Sequence, residues 1–140
     1  REVLGRRTWF LLHTLAAKYP DVPTQADQVA MKSFVAALGQ HYACPLCRKH
    51  LRMKLMSPEL GPVQTRSRTG LALWFCRLHN MVNKDLGKPE HECNAFLLDL
   101  QYLKSCGDCS ATKVADDDSS EVLNTPTWDF WKYAEGTHAG

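Results

Sequence analysis

Apolar residues recur every three or four positions through most of the first hundred residues of this 140-residue chain, and prolines and glycines separate the runs. That spacing gathers apolar side chains on one face of a helix, whereas a half-buried strand alternates them with polar ones, a pattern almost absent here. The expectation is an all-α fold. A first helix covers Leu4 to Tyr19, with Trp9, Leu12, Leu15, Ala16 and Tyr19 at helical spacing, and stops at Pro20. Thr24 caps a second, in which Val29, Phe34, Val35, Leu38 and Tyr42 interleave with Gln25, Asp27, Gln28 and Lys32. Pro45, suited to a first helical turn, opens a third helix from Cys44 to about Met56, with a cysteine pair at its head. A fourth spans Ser67 to Leu86 with Gly87 as its stop, and a shorter fifth covers His91 to Leu103. Four helices with short loops make an antiparallel four-helix bundle, the short fifth lying across one end.

The pattern changes near residue 105. Residues 1–104 read as the helical domain and 105–140 as a C-terminal segment and tail, where "ATKVADDDSSE" is polar and acidic. The following "TWDFWKYAEG" carries Trp128, Phe130, Trp131 and Tyr133, aromatic enough to dock on the bundle or on a partner. A chain of 140 residues buries about two thirds of its unfolded surface, so the core needs no cross-links. At 44% hydrophobic and 23% charged, without a run near the ~18 apolar residues of a membrane span, it reads as a soluble globular domain. A formal charge of +2 with scattered basic residues argues against nucleic acid as a partner. The chain opens at Arg1 without methionine or an apolar leader, so the expectation is that any targeting or anchoring region has been removed or lies outside it.

Six cysteines, Cys44, Cys47, Cys76, Cys93, Cys106 and Cys109, in a chain with a sufficient core point to chemistry rather than stapling. Two Cys-x-x-Cys pairs and two remaining cysteines make one partition natural: 44 with 47, 106 with 109, 76 with 93. Such a set implies an oxidising compartment, or zinc. At the start of the third helix, unpaired amides and the positive end of the helix dipole stabilise a thiolate, and Arg48 and Lys49 add to that. A zinc site would join the two pairs across a gap longer than zinc ribbons use, so spacing favours redox chemistry while leaving zinc open.

In the fourth helix Cys76, His79, Asn80 and Asn83 form one stripe along a largely apolar segment. Buried amides and imidazole without partners each cost roughly 1 to 3 kcal/mol, so a flat polar ligand is one explanation of the stripe. A network between helices, or a partly exposed face, is the other. Trp9 and His13, four apart on the first helix, could offer the same ligand an aromatic wall and a hydrogen bond, though alone such a pair is ordinary core.

The segments "GRRTWFLLHTLAAKYPDVPT", "YACPLC", "SRTGLALWFCRLHNMVNKDLGKPEHEC" and "CGDC" together resemble the flavin-linked sulfhydryl oxidases of the Erv/ALR family, over roughly Leu4 to Cys109. The resemblance implies a helical bundle holding FAD noncovalently within it, usually as a homodimer, with no metal. It also implies a thiol oxidase that puts disulfides into protein dithiols and passes electrons to O2, yielding H2O2. Electron donors would be reduced protein dithiols or a thioredoxin-like oxidoreductase. By the same resemblance Cys44 and Cys47 are the redox pair beside the flavin, Cys47 as the thiolate facing it and Cys44 as the sulfur attacked by incoming thiolates. Trp9, His13, His79, Asn80, Asn83 and Lys88 match positions lining the FAD site, with Gly5, Arg6, Tyr42 and Cys76 as further contributors. Cys76 and Cys93 match the structural disulfide that ties down the fifth helix, and Cys106 and Cys109 sit where some members carry a shuttle disulfide. "PVQTRSRT" and the late pair resemble the fungal endoplasmic reticulum branch, which implies the endoplasmic reticulum lumen or secretory pathway; "LGKPEHEC" looks equally like the mitochondrial intermembrane form. The rival reading is a zinc- or disulfide-stabilised helical adaptor without catalytic activity.

Overall fold

The computed structural model describes residues 1–103, which form five α-helices and no strand: α1 (Glu2–Lys18), α2 (Gln25–His41), α3 (Pro45–Leu55), α4 (Arg68–Asp85) and α5 (Ala95–Tyr102). Local chemistry sets most boundaries. Tyr19 is extended ahead of Pro20 and closes α1, because proline disfavours a helical residue before it. Thr24 and Asp27 form a reciprocal capping box at the start of α2. Ser67 Oγ accepts from the Gly70 amide at 3.0 Å to start α4. The other end of α4 needs Gly87, whose φ of 66° allows the Gly87 and Lys88 amides to turn back onto the carbonyls of Lys84 and Asn83.

α4 is the central helix. Leu71, Trp74, Phe75, Cys76 and Leu78 are all buried to 2% exposure or less, so it is covered on nearly every side. Leu12 and Ala16 of α1, Val35 of α2 and Leu98 of α5 complete the core, with Leu60 contributed by the connection between α3 and α4. That connection is pinned by Trp74, whose indole N–H donates to the Gly61 carbonyl at 3.2 Å, and by Tyr19, whose hydroxyl donates to the Thr65 carbonyl at 2.8 Å. α3 lies against α2 at Gly39, where an added Cβ would come within 2.8 Å of Leu55 Cδ1. The missing side chain is what lets the helix carrying the cysteine pair approach so closely.

α5 begins later than the sequence pattern suggests. His91 does not start it: the His91 N–H donates to Asn80 Oδ1 and its carbonyl accepts from Asn80 Nδ2, both at 2.8 Å, which holds 91–93 in a non-helical path along α4. Asn94 then caps α5 by accepting from the Phe96 and Leu97 amides.

Candidate functional site

The cysteine pair heads α3, and the polar stripe runs along α4 facing α1. Cys44 is the N-cap of α3: its sulfur accepts from the Cys47 amide at 3.3 Å, and Pro45 supplies the first helical residue. Cys44 and Cys47 are joined by a disulfide with their Cα atoms 5.2 Å apart, and both are half-buried. A thiolate released at this helix start faces the positive end of the helix dipole, with the Cys47 amide already directed at the Cys44 sulfur. α3 itself contains Arg48, Lys49, Arg52 and Lys54 and no acidic residue. Tyr42, the last residue before the motif's loop, places its hydroxyl 3.3 Å from Thr8 Oγ1 and so ties the end of α2 to α1.

Along α4 and α1 the structure brings most of the expected ligand residues together. Trp9 stacks on His79 with ring centroids 4.0 Å apart and planes within 7°. His13 Nε2 and His79 Nδ1 share a hydrogen bond at 2.9 Å, so one ring donates and the other accepts, which requires at least one neutral imidazole. Burial pushes His13 down to about 4, helped by the charge of His91. Burial likewise lowers His79 to about 3, with His13, His91 and Lys88 adding repulsion. Cys76 is buried in a disulfide with Cys93, Cα atoms 5.7 Å apart, which fastens the segment before α5 over this face.

The two asparagines part company. The Asn80 amide donates through Nδ2 to the His91 carbonyl and accepts through Oδ1 from the His91 N–H, with a further 3.3 Å contact to Cys93 Sγ, so the side chain organises its own chain. Asn83 is 4% exposed, and its Nδ2 has no hydrogen-bond partner. A buried amide donor left unpaired costs on the order of 1–3 kcal/mol, so this position is suited to an incoming acceptor. Lys88 and Arg6 are exposed and share Glu2, at 3.9 and 2.6 Å. Gly5 has open space around it, with nothing within 4 Å of a Cβ built there.

A cavity of about 160 Å³ opens beside the stripe, lined by His13, Cys76, His79, His91, Leu98 and Tyr102 among others. That is below the ~300 Å³ of an ordinary small-molecule pocket, too small for a whole dinucleotide. His91 and Tyr102 were not singled out from the sequence. Tyr102 stacks on His13 at 4.8 Å and His91 lies 5.4 Å from His79. The available signal was the tether: with Cys93 bonded one turn from His79, the residues beside Cys93 and the following helix must lie over that face. Cys106, Cys109 and the aromatic segment from Thr125 fall outside the described residues. Among the described residues no group of three or more His, Cys, Asp or Glu is arranged to hold a metal ion.

Known proteins resemble this chain in sequence and fold. The chain is 39% identical over 93 residues to a protein of Oryza sativa subsp. japonica named FAD-linked sulfhydryl oxidase ERV1, covering 66% of this chain and 46% of that protein. It is 36% identical over 115 residues to FAD-linked sulfhydryl oxidase ERV2 of Saccharomyces cerevisiae, covering 82% and 56%. It thus spans about half the length of these curated relatives. Its fold superposes on the crystal structure of the FAD binding domain of Erv1 from Saccharomyces cerevisiae with a TM-score of 0.65 at 36% identity, covering 72% of this chain and 91% of that one. The Erv1 / Alr family model matches residues 6–103, which takes in most of α1, all of α2 through α5 and both disulfides just described, and the chain belongs to that family.

Proposed function

We propose that this protein is an FAD-linked thiol oxidase that converts protein dithiols to disulfides through the Cys44–Cys47 pair. The observation that carries the reading is that disulfide, set at the N-terminus of a helix with a basic, acid-free sequence. A donor thiolate attacks Cys44 Sγ; a bond forms between donor sulfur and Cys44, the Cys44–Cys47 bond breaks, and Cys47 leaves as a thiolate stabilised by the helix start. The donor's second thiolate then attacks the donor sulfur of the mixed disulfide and releases Cys44. Donor dithiol is oxidised and the pair is reduced, by two electrons with two protons released.

The residues present fit a flavin. Asn83 offers an unpaired buried donor, Trp9, His13 and His79 offer flat rings and ring nitrogens, and a cavity opens beside them. Lys88 and Arg6, exposed on the same side through their shared Glu2, suit phosphates, while Tyr42, Cys76 and Gly5 complete the set. When bound, FAD supplies a two-electron acceptor that O2 regenerates with release of H2O2. Asn80 supports this site indirectly, by fixing the 91–93 segment.

The C-terminal segment, 105–140, supplies the shuttle: Cys106 and Cys109 take electrons from a reduced protein or thioredoxin-like oxidoreductase and deliver them to Cys44. The protein works as a homodimer in this reading, which is supported by Leu4, Leu11 and Leu15, exposed on one face of α1 at 37%, 52% and 37%. It acts in an oxidising compartment, the endoplasmic reticulum lumen or secretory pathway, with the mitochondrial intermembrane space as the alternative; two disulfides among the described residues support such a setting.

The test begins with an absorption spectrum of the purified protein, which should be yellow. Asn83→Leu removes the unpaired donor and should lower flavin retention about tenfold or more while leaving the bundle folded. Cys44→Ser or Cys47→Ser should abolish oxidation of both dithiothreitol and reduced unfolded protein. At equal flavin loading, Cys106→Ser with Cys109→Ser should spare dithiothreitol and slow the protein substrate sharply. A colourless protein that oxidises no dithiol would overturn the proposal.

A further inference from the structure

Among the described residues, nothing covers the outward face of α3, a stripe that starts inside the cysteine motif. α3 packs inward through Leu51 and Leu55, while Leu46, the adjacent pair Lys49 and His50, Met53 and Met56 recur every three or four positions and are all exposed. Its apolar members are 52%, 59% and 76% exposed at Leu46, Met53 and Met56. Scattered apolar side chains on a surface are ordinary, but these three are aligned, interleaved with basic side chains, and continuous with the residue between Cys44 and Cys47. No carboxylate in α3 balances Arg48, Lys49 and Arg52, whereas Lys54 on the inner shoulder is held by Asp85.

We infer that this stripe is the docking track for a dithiol that attacks Cys44 directly, without passing through Cys106 and Cys109, and that the donor it selects is an acidic polypeptide segment with apolar residues, held in extended form. The inference rests on the oxidase reading and names the substrate class of that site. Charge complementarity gives the acidic requirement. The methionines give tolerance of sequence, since unbranched, polarisable side chains repack against different partners. Geometry gives the length: from Leu46 to Met56 the helix advances about 15 Å, room for about four or five extended residues flanking the reacting cysteine.

The test uses the flavin-loaded full-length protein and three donors: dithiothreitol, a synthetic peptide with two cysteines amid Asp and Leu, and the same peptide with Lys replacing Asp. The acidic peptide should show kcat/KM about tenfold above the basic one at low ionic strength, a preference that shrinks as salt rises. Met53→Glu with Met56→Glu should remove the preference through KM while leaving dithiothreitol turnover unchanged. Met53→Lys with Met56→Lys should keep the charge preference and lose affinity for the apolar positions. Equal kcat/KM for the two peptides in the wild type, with both oxidised, overturns the docking track and leaves the oxidase intact. Oxidation of none of the three donors overturns the oxidase and the track together. If the double Glu variant changes the sedimenting mass, or loses binding to phosphatidylserine vesicles while both peptides react alike, the stripe belongs to a second copy or to a membrane surface instead.

Discussion

His13 and His79 show how burial, rather than charge, governs the chemistry of single residues here. The pair is stacked between Trp9 and Tyr102 and bonded ring to ring, an arrangement that two imidazolium ions could not keep. Folding holds their pKa values near 4 and 3, below the 6.5 of an unhindered imidazole, so the unfolded chain takes up protons first as the solution is acidified. The stability these rings contribute is therefore complete above pH 6.5 and is lost as pH falls from there toward 4 and 3. Thermal melts of the wild type should drop across that window, and His79→Gln, which does not titrate, should flatten part of the slope. Parallel profiles for the two proteins would show that this pair does not set the acid sensitivity.

At the scale of elements, the covering of the Cys76–Asn80 face of α4 depends on one short segment. Residues 91–93 are fastened twice, by the Cys76–Cys93 disulfide and by the Asn80 amide, and α5 starts only where that fastening ends. Cys76→Ser or Cys93→Ser should cost about 2 to 4 kcal/mol in denaturant unfolding, and should loosen the cofactor because His91 and Tyr102 lose their anchor. Turnover per bound flavin should change little, in contrast to the Cys44 and Cys47 substitutions. A denaturation midpoint unchanged by both serine variants would mean that the Asn80 hydrogen bonds alone hold the segment.

The whole molecule turns a long apolar side chain outward at Leu4, Leu11 and Leu15, spacings of seven and four that place them on one face of α1. A groove of about 340 Å³ between α1 and the end of α2, lined by Leu4, Leu11, Phe34 and Ala37 among others, continues that face. Covering it with a second copy removes this surface from water. Leu11→Glu with Leu15→Glu would bury carboxylates at such an interface and should convert dimer to monomer in sedimentation, with flavin still bound. A wild type that sediments as a monomer at all concentrations would remove the homodimer from the proposal.

What the amino-acid order determined by itself is what acts within a few residues. Pro20 ends α1, Thr24 and Ser67 start helices with their own side chains, Cys44 and Pro45 set the redox pair at a helix head, and Gly87 closes α4; each rule reaches no farther than one turn. The stripe of Cys76, His79, Asn80 and Asn83 was legible for the same reason, since periodicity alone places it on one face. Its division of labour was not. Asn80 and Asn83 look alike in sequence, but the segment after Lys88 folds back over one and satisfies its amide, while the other stays buried and unpaired. The late start of α5 and the roles of His91 and Tyr102 follow from that same fold-back. Only the tertiary structure could decide them, because a side-chain amide and a backbone segment eleven residues away compete with helix formation only once packing has brought them within hydrogen-bond distance.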